Sequence, residues 1–313
     1  LFFYVLKRVF SLIPVLLIVS IVVFLLIFLT PGDPVSVMLG QDASAQQIKE
    51  LREQLGFNQP LYKQYFDWLI AVFHGDLGNS YFMHEPVTTA ILDHLGPTIS
   101  IAVLAEIIAI LIAVPVGILA AKNRGSYIDQ LVMGFTLTGM AVPSFLFGLL
   151  LMLVFGVKLQ WLPIAGYEPL SSGLWNHLQH ILLPGLALGI IQSALIARMT
   201  RSSMLEVLNA DFIKTARSKG LKERSVVYVH ALRNALLPII TVIGQTFGLL
   251  VAGAVVIETI FNIPGIGQLV LNSIQSRDYA VIQGVILMVA FFYVMINLLI
   301  DLIYIIVDPR VEY

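Results

Sequence analysis

Six long apolar stretches limit what this chain can fold into: Val9–Leu29, Ile99–Ala121, Leu131–Val157, Ile181–Met199, Leu236–Ile257 and Val281–Val307. A bilayer core about 30 Å thick is crossed by roughly 20 apolar residues in a helix, and each stretch is long enough or nearly so. Lipid offers no partner to backbone N–H and C=O groups, so spans of this kind must be helical. The alternating pattern of a membrane barrel is absent. Composition agrees, with 58% hydrophobic and only 12% charged residues among 313. An ordinary soluble domain carries about 25% charged residues. The expected class is an all-α integral membrane protein with six transmembrane helices, read as one membrane domain over 1–313 with its core at 99–307. No small-residue cleavage site follows the first stretch, which reads as a retained helix and not as a signal peptide.

Loop charge sets the orientation. Lys7, Arg8, Lys122, Arg124, Arg198, Arg201, Lys214, Arg217, Lys219, Lys222, Arg224, Arg233 and Arg310 fall on one side, 13 of the 18 basic residues. The other side holds Lys49, Arg52, Lys63, Lys158 and Arg277, although its loops are longer. The rule that positive charge stays inside puts both termini in the cytoplasm.

Two loops stand apart. The external segment 30–98 carries eight acidic residues and opens on Thr30-Pro31-Gly32-Asp33-Pro34, a sharp helix stop. Within it, Ser44 and Gln47 form a capping-box pattern, Ile48, Leu51 and Leu55 an apolar stripe, and Gly56 a C-terminal cap. A second amphipathic helix from Pro60 would present Leu61, Tyr65, Trp68, Leu69 and Val72 on one face. The segment reads as a folded cap. The cytoplasmic loop 200–234 reads as two short helices, Asp211–Lys219 capped by Asp211 and Lys222–Arg233, broken at Gly220, with Pro238 opening the next span.

Few residues offer chemistry. Glu106 lies mid-span, where a carboxylate costs about 2.5–3.5 kcal/mol. Thirteen Leu, Ile or Val residues in that span return about 0.3–0.6 kcal/mol each, so it still inserts. Glu106 can line a water path or gate, or form a structural hydrogen-bonded pair. Asn297 and Asp301, at i and i+4, share a face of the last span and suit helix packing or the same pathway. His177 and His180 also share a face, but no carboxylate or Cys cluster stands near them, and they read as interfacial histidines. Gly244, Gly248, Ala252, Gly253 and Ala254 suit close packing, within the chain or with a partner. There is no cysteine, hence no disulfide or thiolate chemistry, and the net charge of −1 gives no reason to expect nucleic acid. No Gly-x-Ser-x-Gly elbow occurs, and the chain lacks the Gly-x4-Gly-Lys-Ser/Thr phosphate cradle.

The run Asp211, Phe212, Ile213, Lys214, Thr215, Ala216, Arg217, Ser218, Lys219, Gly220, Leu221, followed by His230 to Pro238, resembles the cytoplasmic signature loop of binding-protein-dependent ABC importer permeases. More closely it resembles the dipeptide/oligopeptide/nickel permease family. Tyr4 to Arg8 with Ile13-Pro14, Pro31-Gly-Asp-Pro34, Leu55 to Leu61, Gly75-Asp-Leu-Gly78, Gln160-Trp-Leu-Pro163 and Ile181-Leu-Leu-Pro184 are similar to that family too. So are Ala197-Arg198, Arg201 to Met204, Glu258 to Phe261 with Pro264-Gly265, Arg277-Asp-Tyr279 and Asp308-Pro-Arg310. Lys214, Thr215 and Ala216 stand where the general signature reads Glu-Ala-Ala, so no role for that Glu is carried over.

The resemblance implies a type I ABC importer permease fold in a bacterial inner membrane. It also implies a second homologous permease, two cytoplasmic ATP-binding subunits that would bind ATP and Mg²⁺, and an external solute-binding protein. On this reading the chain is a non-catalytic subunit without cofactor or metal of its own. It would translocate di- or oligopeptides by alternating access. Nickel, a metal chelate or glutathione are the alternatives on the same machinery. Residues 211–217 and 219–221 would couple to the ATPase, with Phe212, Ile213 and Ala216 as the apolar face, and the external cap could dock the binding protein. A self-sufficient channel or secondary transporter is the competing class, although no convincing internal repeat supports it.

Overall fold

The computed structural model describes residues 2–29, 34–39, 44–54 and 56–307. Among them there is no β-strand, only an isolated bridge between Asn79 and Pro86. Five helices are long and apolar enough to cross a membrane, or six spans if a sharply bent pair counts as one. They are α1 (Phe2–Leu29), α5 (Val87–Lys122), α8 (Leu174–Leu208), α11 (Leu232–Gly253, within a longer helical run from Glu223) and α14 (Tyr279–Val307). The pair is α6 (Tyr127–Ala141) and α7 (Ser144–Leu151), the latter extended by a π-helical stretch to Lys158. The shorter helices are α2 (Pro34–Leu39), α3 (Ala45–Gln54), α4 (Leu61–Phe73), α9 (Asp211–Ser218), α10 (Glu223–Ser225), α12 (Val255–Ile260) and α13 (Ile266–Ser276).

The chain divides into two compact units, Leu1–Gly96 with Gly265–Val294, and Pro97–Pro264 with Met295–Tyr313. In the first, α4 lies on α1. The Tyr65 hydroxyl meets the Ser20 hydroxyl at 2.8 Å, and the Phe24 ring meets Tyr65 edge-on at 5.4 Å and Trp68 at a tilt at 5.7 Å. Leu61, expected on one face with Tyr65, Trp68, Leu69 and Val72, is exposed, whereas those four are half-buried. It is the first residue of the helix, where the chain has only just left Pro60. The capping box forms as expected: the Ser44 N–H donates to Gln47 Oε1 at 2.9 Å and the Gln47 N–H to Ser44 Oγ at 3.3 Å. Gly56 takes the left-handed conformation, φ 72°, that its place after α3 requires. The corner Thr30 to Asp33, Leu55 and the segment Asp308 to Arg310 lie outside the described residues, as does the side chain of Leu51.

A buried hydroxyl–carboxylate pair fixes the rest of this unit. Ser80 Oγ donates to Asp278 Oδ2 at 2.5 Å, the Met83 N–H returns to Ser80 Oγ at 2.8 Å, and Asp278 heads α14. Val87, Ala90 and Ile91 pack there on Ile266, Leu269, Val281 and Val285.

In the second unit α8 is the central element, packed by α6, α7 and α11. Backbones approach closely at chosen glycines. A Cβ on Gly189 would meet the Ala105 carbonyl of α5, and one on Gly139 would meet Ala194 of α8. Ala109, Ala113, Ile196, Ala197 and Val242 close the core where α5, α8 and α11 meet.

The span boundaries differ from expectation in ways that have local causes. The helix expected from Ile99 begins at Val87, so the last part of the external cap is the first part of α5. Its 36 residues reach about 54 Å, well beyond a bilayer core. The third span is not straight: α6 and α7 meet at 98°. Pro143 is the reason. It cannot donate to α6, and it forces the preceding Val142 into the extended region, φ −80° and ψ 123°. The fifth span breaks at Ala254, between α11 and α12. Pro238 does not open that span. It lies inside α11, because helix runs on from Glu223 through a π-helical stretch at Val226–Ala231.

Candidate functional site

The chain around Gly220 forms a small helical arm at the end of α8. Asp211 was expected to cap α9, but Ala210 occupies the cap and Asp211 is the first helical residue. From there the carboxylate still suits the positive helix end, and it pairs with Lys214 at 2.8 Å on the exposed surface. The arm ends as the sequence dictates. Gly220 adopts φ 75°, its N–H donates to the Arg217 carbonyl at 2.9 Å, and the Leu221 N–H donates to the Ala216 carbonyl at 3.4 Å. This is the bond pair of a Schellman turn. Across the turn, Arg217 grips Glu223 with two bonds, 2.8 and 3.2 Å. Those bonds push the Arg217 guanidinium above its ordinary pKa.

The arm's two faces do different work. Ile213 and Ala216, expected to point outward, are buried. They pack with Ile118 and Ala121 of α5, Met204 of α8, Val226 and Val227 of the π-helical stretch, and Ala235 and Ile239 of α11. A three-residue spacing, just under one turn, explains it: residues 213 and 216 face the protein while 212, 215 and 219 face away. Phe212, 45% exposed, is the apolar side chain that α9 leaves outside, amid Asp211, Lys214, Thr215 and Arg217; Lys219 and Leu221 of the turn are exposed as well. The arm is thus held by apolar contacts to three spans and displays a polar surface with one aromatic group.

A second feature, not legible in the sequence, sits nearby. Arg201, near the end of α8, forms two bonds with buried Asp129 in the first turn of α6, at 2.5 and 2.8 Å. Asp129 also accepts the Gly125 N–H at 2.9 Å. Arg201 was visible only as part of a motif, and Asp129 looked like an ordinary loop acid. A span starting at Tyr127, rather than Leu131, makes it the partner of Arg201. Glu258 was likewise read only as motif; it is fully buried and accepts from Thr98 Oγ1 at 2.6 Å.

Of the candidate pathway residues, Glu106 is the one that is buried. Glu106 is 6% exposed and accepts from Thr246 Oγ1 of α11 at 3.1 Å. Its other oxygen, Oε2, is buried with no hydrogen-bond partner among the described residues. Asn297 and Asp301 are half-buried on α14, and each has a partner. Gly244 receives the Ile300 side chain of α14, so at that position the small-residue face of α11 serves packing within the chain. His177 and His180 each direct Nδ1 at a backbone carbonyl, Glu168 at 2.6 Å and Asn176 at 2.8 Å. Among the described residues no group of three or more His, Cys, Asp or Glu side chains could hold a metal.

Residues 113–313 match the family described as binding-protein-dependent transport system inner membrane component, and residues 1–102 match the description of its N-terminal part. The chain belongs to this family. It is a permease subunit of an ABC importer, an inner-membrane component of a system that includes a solute-binding protein and an ATPase. A Brucella suis protein named for a peptide transport system permease is 46% identical over 309 residues, 99% of this permease and 98% of that protein. The glutathione transport system permease protein of Salmonella typhimurium is 42% identical over 310 residues, 99% of each chain. In fold, the permease is similar to a chain of the inward-facing MetNI methionine ABC transporter, with a TM-score of 0.56 at 19% identity, covering 70% of this chain and 96% of that one.

Proposed function

We propose that this permease carries di- or oligopeptides across the inner membrane by alternating access, driven through the arm 211–221 by ATPase subunits that alone bind ATP and Mg²⁺. The observation that carries this reading is the two-faced α9. Ile213 and Ala216 root it in the cytoplasmic ends of α5, α8 and α11, while Phe212 stands exposed. A push on Phe212 therefore reaches three spans at once, without a flexible link between. Such an arm suits a cleft on a separate protein. A second homologous permease completes the path, two ATPase subunits power it, and the external segment 30–98 docks the binding protein. The chain itself is non-catalytic.

Peptide is favoured as substrate by relatives named for peptide systems. Glutathione is the second reading, favoured by a relative of nearly equal similarity, and being itself a small peptide it asks for the same kind of path. Glu106, with one buried carboxylate oxygen unpaired among the described residues, is the pathway or gating group of first choice, ahead of Asn297 and Asp301. Proteoliposomes holding the permease, its partner permease and the ATPase subunits test the reading. With loaded binding protein they should take up labelled peptide on addition of ATP. Phe212→Asp should abolish uptake while the permease pair still assembles. Glu106→Gln should lower uptake without loss of assembly; unchanged uptake would make Glu106 a purely structural residue.

A further inference from the structure

The cleft beside the arm has a chemistry that coupling does not use. It is about 570 Å³ in volume and is lined by Lys122, Glu223, Arg224, Val227 and Tyr228. Glu223 is the one carboxylate there, and Arg217 already holds it in two bonds. Lys122 and Arg224 are exposed and form no ion pair among the described residues. Glu223 lies within electrostatic reach of Lys122 as well, yet the lining still holds two cations against this one carboxylate, which Arg217 already binds; the cleft therefore presents an excess of positive charge beside a phenol hydroxyl.

Its depth is set by the helices that build it. Lys122 is the last residue of the α5 span, and Glu223 the first of the helical run that becomes α11, so the cleft lies at the polar boundary of the membrane. Tyr228, 55% exposed, is a side chain suited to the headgroup layer. Leading up to Lys122, α5 exposes Leu111, Pro115 and Leu119 at four-residue spacing, one helix face within the span. A water-soluble partner cannot cover that apolar lane; an acyl chain can.

We propose that this cleft holds the headgroup of an anionic phospholipid of the cytoplasmic leaflet, with an acyl chain lying along Leu111, Pro115 and Leu119. Arg224 would take two phosphate oxygens in its planar fork, Lys122 would add a point charge, and the Tyr228 hydroxyl would donate a further hydrogen bond. Basic pockets between spans on the cytoplasmic side suit anionic headgroups in this way. A zwitterionic phosphatidylcholine would gain much less, because its own cation opposes the two on the protein.

The test uses the assembled complex, delipidated and then given phosphatidylglycerol or phosphatidylcholine, with bound lipid counted by native mass spectrometry. The wild type should retain one more phosphatidylglycerol per permease than the Lys122→Gln/Arg224→Gln variant, and phosphatidylcholine should show no such difference. Affinity should fall roughly fivefold for each cation removed and about thirtyfold for both. The swap Lys122→Arg/Arg224→Lys should keep the lipid. If the double variant does not assemble, Arg224→Gln alone reads the same difference. Equal phosphatidylglycerol retention in wild type and variant overturns the proposal. Loss of ATPase subunits with lipid retained also overturns it, because the cleft would then belong to the ATPase contact. So does inorganic phosphate that competes the lipid off at equal concentration, because the lane on α5 would then contribute nothing.

Discussion

Gly220 has open space around it, since a Cβ there would meet nothing within 4 Å. Its requirement is conformational: φ 75° is a region that costs an ordinary residue about 1–2 kcal/mol. Gly220→Val should therefore cut ATP-driven uptake severely, whereas Gly220→Asn, which tolerates the left-handed region, should keep most of it. Equal uptake by both variants would remove the turn from the mechanism. Asp129 and Arg201 make a second prediction at this scale. Removing either partner leaves a buried or half-buried charge without its bonds, costing about 1–3 kcal/mol. Thermal unfolding of Asp129→Asn, Arg201→Gln and the double variant should show the double loss falling well short of the sum, as expected for residues in contact. Additive losses would mean that the pair contributes no coupling. Residue by residue, the sequence showed the Gly220 turn because its signal is local, three residues either side. It could not show the Asp129–Arg201 pair, because 72 residues separate the partners and only the packing of α6 on α8 brings them together.

Among the elements, α8 is the hub whose glycines admit its neighbours. Gly189→Ala should destabilise the permease, because the added methyl meets the Ala105 backbone of α5 and no side chain can turn aside. Gly134 lies in α6 with open space around it, so Gly134→Ala should hold or raise stability by up to about 1 kcal/mol. The melting temperature of purified Gly189→Ala should fall while that of Gly134→Ala holds or rises; a fall in both would contradict this packing. Hydropathy identified every span, but not where one bends. Pro143 was visible, yet a proline kinks some helices mildly and breaks others, and the 98° turn follows from Val142 taking the extended region before it. Helix ends escaped for a related reason. The first turns of α5 and the last turns of α8 interleave apolar with polar and charged residues, so they break the continuous apolar run that marks a span although their backbones continue the helix.

For the molecule as a whole, the sequence made class, orientation and family legible, because lipid imposes long apolar runs and loop charge is counted directly. The burial of Ile213 and Ala216 was not legible, because a short amphipathic helix has an apolar side without a label saying what covers it. That face fits the proposed coupling, in which the buried residues would be the lever's root and Phe212 its contact. On the proposed account, energy and much of the substrate choice would lie in other subunits. The most direct measurement compares ATP-driven peptide uptake in proteoliposomes containing the permease alone with uptake in those containing its partner permease, ATPase subunits and binding protein. The account predicts neither ATP hydrolysis nor uptake by the lone chain, and uptake by the assembly that requires both ATP and loaded binding protein. Peptide uptake by the lone chain under an ion gradient would contradict it.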